Sequence, residues 1–248
     1  MTLPFELQIE RGPAMGLIVL QTDELAEVEL GKLFLGLGVR VYQNRIPCMP
    51  EVRPETLTMM AETMTATADM LPDSAGIEVI GYGCTSGATI LGEARVAELI
   101  NAAHPKVSVS NPLSALKAAC RALGVKKLGL VSPYVAEVTE ALKAAVGAEG
   151  ISISAYGSFE QAEDRTVARI SPASTLSAML EVGAGDCDAV FASCTNLRAM
   201  EIIAEAETVL NKPVLCSNQV LGWHMLRLAG ISGGDSAHGR LFDTGLGG

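Results

Sequence analysis

Glu78-Val-Ile-Gly-Tyr-Gly-Cys84-Thr-Ser86 and Asp188-Ala-Val-Phe-Ala-Ser-Cys194-Thr-Asn196 share one pattern: a short apolar run, then Cys-Thr and a polar residue. Apolar runs of this length, bounded by polar or turn residues, read as buried strands. Helical spacing follows each, through Ile90, Ala94, Ala97 and Ile100 in the first and Leu197, Met200, Ile203 and Leu210 in the second. Strand, cysteine, helix therefore occurs twice. In open parallel sheets ligands bind beyond the carboxyl ends of strands, which is where both cysteines fall.

Further matches flank this pair. Gly16-Leu-Ile-Val resembles Gly129-Leu-Val-Ser at an offset of 113, and Gly38-Val-Arg-Val resembles Gly150-Ile-Ser-Ile at 112. Cys84-Thr matches Cys194-Thr at 110, and Ser110-Asn111 matches Ser217-Asn218 at 107. The four matches keep their order, as a duplicated four-stranded unit with shorter loops in its second copy would. The remaining strands are expected at 15–21, 39–45, 106–110, 127–132, 151–156 and 213–217. Asp23 is placed to cap a helix with Leu30, Leu33, Phe34 and Leu37 on its apolar face. Pro54 opens a helix burying Leu57, Met60, Met64 and Leu71, Ser114 starts one ending at Gly124, and Ser171-Pro172 starts another. Strands separated by helices give an α/β fold of two parallel-sheet halves related by a pseudo-two-fold axis, with the active site between them. The first half is expected to comprise 1–112 plus 218–248, the second 113–217. The polar stretch 158–169 has no clear period, and the glycine-rich tail from Gly233 is expected to fray.

Composition narrows the function. The 248 residues are about half apolar and carry a net charge of −10, which argues against nucleic-acid and anionic-membrane partners. A membrane helix needs about 18 apolar residues in a row, and neither such a run nor a signal peptide is present, so a cytoplasmic protein with reduced thiols is expected. The six cysteines form no C-x-x-C pair and no zinc spacing, so no metal is expected. Gly81-Tyr-Gly-Cys-Thr-Ser-Gly87 matches neither nucleotide-binding glycine motif, so no nucleotide or other cofactor is expected.

A free cysteine is most often a small buried hydrophobe, and Cys120, Cys187 and Cys216 read that way, with Cys48 a loop residue. The duplicated context sets Cys84 and Cys194 apart. Each is expected near a helix N-terminus, where the dipole favours thiolate and binds carboxylates. Thr85, Ser86, Thr195 and Asn196 are available to cap those helices or donate to substrate oxygens. Two thiols facing one substrate suit chemistry on two faces: one takes a proton or adds to carbon, the other delivers a proton. His104 is expected at the surface, His224 in packing beside Trp223, and His238 in the tail.

Tyr82-Gly-Cys-Thr-Ser-Gly87, Ser132-Pro-Tyr134, Ser193-Cys-Thr-Asn-Leu-Arg198 and Pro213-Val-Leu-Cys-Ser-Asn-Gln219 with Trp223 resemble the maleate cis–trans isomerase and arylmalonate decarboxylase branch of the aspartate/glutamate racemase superfamily. The resemblance spans Gly16 to Gly230 and implies two flavodoxin-like halves, no cofactor and a homo-oligomer. It implies that Cys84 attacks, that Cys194 is the acid and that Tyr134 holds a substrate carboxylate. Arylmalonate decarboxylases resemble the chain at the second cysteine and lack the first. The chain departs from maleate isomerases at two asparagines. Gln21-Thr22-Asp23 stands where one is expected, with Gln21 and Thr22 taken as substrate-binding, and 163–169 offers no evident counterpart for the other. That loop and Asp164-Arg-Thr-Val-Ala-Arg-Ile-Ser-Pro172 are more similar to ectoine-utilisation relatives, whose substrate is a larger amino-acid derivative. The expected function is isomerisation or racemisation of a small carboxylate. The alternatives are an arylmalonate-type decarboxylase with Cys194 as proton donor, or a non-catalytic carboxylate binder.

Overall fold

Two separate four-stranded parallel sheets carry the chain in this computed structural model, which describes residues 1–8, 12–233 and 238–246. The first holds β1 (Ala14–Leu20), β2 (Arg40–Ile46), β3 (Ile77–Gly83) and β4 (Ser108–Ser110) in the order β2-β1-β3-β4. The second holds β5 (Lys127–Tyr134), β6 (Ser152–Gln161), β7 (Ala189–Ala192) and β8 (Val214–Cys216) in the order β6-β5-β7-β8. The two orders are the same, as a duplicated unit requires. All seven residues of central β1 are buried, whereas edge strand β6 alternates exposed and half-buried positions along most of its length. That contrast follows from helices covering both faces of a parallel sheet's interior strands.

The repeated glycines have a shared physical cause. Gly38 and Gly150 each sit two residues before the second strand of their sheet with φ of +67° and +75°, a conformation that costs glycine little and other residues more. Gly16 and Gly129 each occupy the third position of the central strand. A Cβ on Gly16 would come within 2.8 Å of Leu71, and one on Gly129 within 2.9 Å of Val182. Both strands therefore need a bare backbone where a covering side chain presses on the sheet.

The helices between strands are α1 (Ala26–Leu35), α2 (Pro54–Thr58), α3 (Ala61–Asp69), α4 (Thr85–Leu91), α5 (Glu93–Ala103), α6 (Pro112–Leu123), α7 (Ala136–Gly147), α8 (Asp164–Val167), α9 (Pro172–Gly183), α10 (Ile203–Leu210) and α11 (Ser217–Leu228). Asp23 Oδ1 accepts from the amides of Leu25 and Ala26 and so starts α1. Ser171 caps α9 through the amide of Ser174. Other expectations need correcting. The helix after Cys84 breaks at Gly92, whose φ of +85° ends α4 and opens α5. Helix α6 is capped by Asn111, with Ser114 completing the reciprocal pair at its third position. Helix α11 is instead capped by Cys216. Ser110-Asn111 and Ser217-Asn218 therefore hold different places relative to their helices, and the fourth sequence match is displaced.

Helices α6 and α11 follow the last strand of each sheet and pack on one another. His104 is buried, its ring Nε2 2.9 Å from the Ala68 carbonyl, and not exposed as expected. The tail is docked in part: Leu241 and Phe242 are buried, and Trp223 and Arg227 donate to the Thr244 carbonyl. Residues 234–237 and 247–248 of that tail lie outside the described residues. Among the described residues no helix is long and apolar enough to cross a membrane.

Candidate active site

Cys84 directly follows β3 and Cys194 lies two residues beyond β7, and the chain around them interlocks. Thr195 Oγ1 donates to the carbonyl of Gly83, the residue before Cys84, at 3.2 Å. In the other direction the Cys194 amide donates to Ser217 Oγ at 2.9 Å, and that hydroxyl is 2.8 Å from Thr85 Oγ1. The threonines of the two Cys-Thr pairs therefore tie one half to the other. Both thiols are buried, at 4% and 5% exposure.

Their local geometries differ. Cys84 is the N-cap of α4, and its Sγ accepts from the Gly87 amide at 3.1 Å. Cys194 does not stand at a helix start, because turns follow it and α10 begins only at Ile203. It holds φ +114°, a strained conformation costing on the order of 1–3 kcal/mol. The bond to Ser217, the Asn196 amide donating to its Sγ at 3.3 Å, and Asn218 Nδ2 donating to the Thr195 carbonyl at 2.7 Å hold it there.

Burial also reverses the expected ionisation. Desolvation pushes the Cys84 thiol up to about 12, against the pull of the Gly87 amide, and the Asp164 charge adds to the rise. Cys194 is pushed well up for the same two reasons. Helix-terminus stabilisation is outweighed by loss of water, so both groups rest as thiols.

Asp164 is the residue that sequence reasoning missed. It is 2% exposed and accepts from Tyr134 Oη at 2.8 Å, Thr22 Oγ1 at 2.6 Å and Asn196 Nδ2 at 3.1 Å. Since Tyr134 has given its one proton to Asp164, the 3.0 Å contact between Tyr134 Oη and Cys194 Sγ places the proton on sulfur. Thr22 Oγ1 likewise lies 3.5 Å from Cys48 Sγ. The loop bearing Cys48 clasps the Asp164 segment, with the Val52 amide donating to the Ala162 carbonyl and the Asp164 amide to the Pro50 carbonyl. Tyr82, also unforeseen, is fully buried with its hydroxyl near Met60 Sδ and the Cys84 thiol.

Of the expected substrate contacts, Thr22, Tyr134 and Asn196 converge on Asp164. Thr85 and Thr195 join the halves, and Ser86 is buried beside the small void that Thr85 and Tyr134 also line. Gln21 is exposed, on the wall of an outer cavity of about 650 Å³ shared with Cys48, Arg45 and Arg165. Cys48 is the only one of the six cysteines that is not buried. Iodoacetamide mapping by mass spectrometry is expected to modify Cys48 before Cys84 and Cys194 in the ligand-free protein; labelling of either buried thiol first would contradict the closed geometry.

Behind Cys194, Asn218 Nδ2 also donates to Glu29 Oε2 at 2.6 Å. Burial raises Glu29 from 4.5 to about 7, with the nearby Asp23 charge adding to it. Because the folded value lies above the unfolded one, the contribution is full below about pH 4.5 and is lost as pH rises through about 7. Glu29→Gln keeps the acceptor for Asn218 and is expected to stabilise the fold at about pH 8 by roughly 1–3 kcal/mol, with no gain at about pH 4. Urea unfolding at the two pH values measures this, and equal effects at both would contradict it.

Residues 16–242 match the model of the Amdase family, arylmalonate decarboxylase. The chain belongs to the arylmalonate decarboxylase family. This family member is 26% identical to the maleate isomerase of Nocardia farcinica over 224 residues, 86% of this chain and 88% of the relative. It is 33% identical to the arylmalonate decarboxylase of Bordetella bronchiseptica over 128 residues, 50% of this chain and 52% of the relative. Among solved structures, Nocardia farcinica maleate cis–trans isomerase bound to TRIS is similar at TM-score 0.84, 25% identity and coverage of 93% and 97%. A liganded double mutant of arylmalonate decarboxylase is similar at TM-score 0.84, 25% identity and coverage of 94% and 99%. The branch implied by the cysteine motifs is thereby established for this member of the family, together with its two-sheet α/β architecture.

Proposed function

We propose that the chain is a cofactor-independent isomerase or racemase of a small carboxylate, using Cys84 and Cys194 on opposite faces of the substrate. The observation that carries this reading is the pair of buried thiols in unlike settings, tied across the two halves. Cys84 has the Gly87 amide on its sulfur and suits the nucleophile or base. Cys194 keeps its proton through the Tyr134–Asp164 chain and suits the acid.

For an alkene substrate the Cys84 thiolate forms a C–S bond at one alkene carbon. The electron pair released at the other carbon takes the Cys194 proton, leaving Cys194 as thiolate. Rotation about the new single bond follows. Cys194 then removes the proton, the C–S bond breaks and the sulfur electrons return to Cys84. For an α-hydrogen substrate, one thiolate removes the proton and the opposite thiol supplies one. The family description and the Bordetella bronchiseptica relative favour a second reading, decarboxylation with Cys194 protonating the enediolate. Proton NMR in D₂O with maleate, arylmalonates and amino acids separates the two. Isomerised or inverted product without loss of CO₂ is expected, and CO₂ release with no isomerisation would overturn the first reading.

A further inference from the structure

The groups expected to grip a substrate carboxylate already grip one. Tyr134 Oη, Thr22 Oγ1 and Asn196 Nδ2 all donate to the side chain of Asp164. These three come from both halves of the chain: Thr22 follows β1, Tyr134 ends β5 and Asn196 lies two residues beyond Cys194. Asp164 is itself buried, and among the described residues it is in no ion pair. Its charge is felt by both Cys84 and Cys194, so it stands within electrostatic reach of each thiol. The arginines on the nearby outer cavity wall are not bonded to it: Arg45 is held by Glu27 and by the carbonyls of Leu20, Gln21 and Asp23, and Arg165 is exposed. A second buried carboxylate, Asp23, lies close to Asp164, with the Thr195 hydroxyl beside it.

We infer that Asp164 takes, from within the chain, the place of a second substrate carboxylate, so that the substrate is a monocarboxylate whose other end carries an N–H donor, amide or ammonium. This rests on the proposal that Cys84 and Cys194 flank the substrate. A dianion would set its second carboxylate against Asp164 with the three donors already engaged. Like charges a few ångströms apart in a partly desolvated site oppose binding strongly. An N–H group in the same position meets a free lone pair of Asp164 Oδ1, to which only Tyr134 donates among the described residues.

Maleate and maleamate test this on one skeleton, since they differ only in a carboxylate replaced by a carboxamide. Calorimetric titration of the intact protein with each is expected to show maleamate binding tighter by roughly a hundredfold. Asp164→Asn, of the same shape, is expected to erase or reverse that preference through stronger maleate binding. A purely structural role for Asp164 would lower stability in urea and leave the ratio unmoved. Maleamate binding no tighter than maleate in the unmodified protein, including failure of both to bind, overturns the inference, as does an unchanged ratio in Asp164→Asn. The two-thiol reading fails separately: the binding preference would hold while no ligand is turned over in a cysteine-dependent way.

Discussion

Cys194→Ser is expected to lower turnover by at least about three orders of magnitude, and Cys84→Ser by a comparable factor. The serine hydroxyl preserves the shape of each site and the amide contacts to Sγ, from Gly87 in one case and Asn196 in the other. It is a far weaker acid than a thiol and does not ionise usefully near neutrality. Binding is expected to survive, because neither substitution alters Asp164 or the three donors it holds. The two variants are not expected to fail alike. With an alkene substrate and Cys194 replaced, addition by Cys84 lacks its proton donor for the second carbon, and an adduct on Cys84 is expected to be visible as a mass increase. With Cys84 replaced, no adduct forms. With an α-hydrogen substrate in D₂O, each variant is expected to exchange the hydrogen of one enantiomer without inverting it. If Cys84→Ser keeps substantial activity while Cys194→Ser is dead, the decarboxylase reading gains; wild-type rates in both would sink the two-thiol mechanism.

The second large effect is on pH. Because burial holds Cys84 up at about 12, its thiolate fraction in the free protein grows about tenfold per pH unit well below that value. The rate constant kcat/KM, which reports the free protein, is therefore expected to climb roughly a hundredfold between about pH 7 and pH 9. Cys194 is pushed upward as well and stays protonated across that range, so the descending limb of a bell is not expected there. Circular dichroism at each pH separates this from unfolding. A profile flat from about pH 7 upward would show that Cys84 is already ionised, and would refute a resting site of two desolvated thiols.

Much of the architecture is legible locally. Apolar runs of strand length, the left-handed Gly38 and Gly150, and the bare-backbone Gly16 and Gly129 are short-range features, and each leaves its mark twice in the chain. They suffice for two parallel sheets of the same order and for the placement of Cys84 and Cys194 at strand ends. Strand limits miss by one or two residues at most ends, and by five at the end of β6, where the polar stretch carries no period.

The chemistry of the site is decided elsewhere. Nothing in Glu163-Asp164-Arg165 distinguishes a surface turn from a buried carboxylate. Asp164 becomes the centre of the site only because the loop around Pro50 and Val52, over a hundred residues earlier, closes against it. The acidity of the thiols follows the same rule. A position before a helix argues for thiolate, and Cys84 has that position, but burial from all sides outweighs one amide. Cys194 lacks even the helix, and its φ of +114° is held by Ser217 and Asn218, more than twenty residues further along the chain at the end of the same repeat. By itself the sequence determined the repeated strands, the sharp glycine positions and the two cysteines, because periodicity and backbone freedom are properties of neighbouring residues. Only the tertiary structure decided which carboxylate meets which donor and which thiol keeps its proton, because desolvation and charge act through space between segments that the chain brings together only on folding.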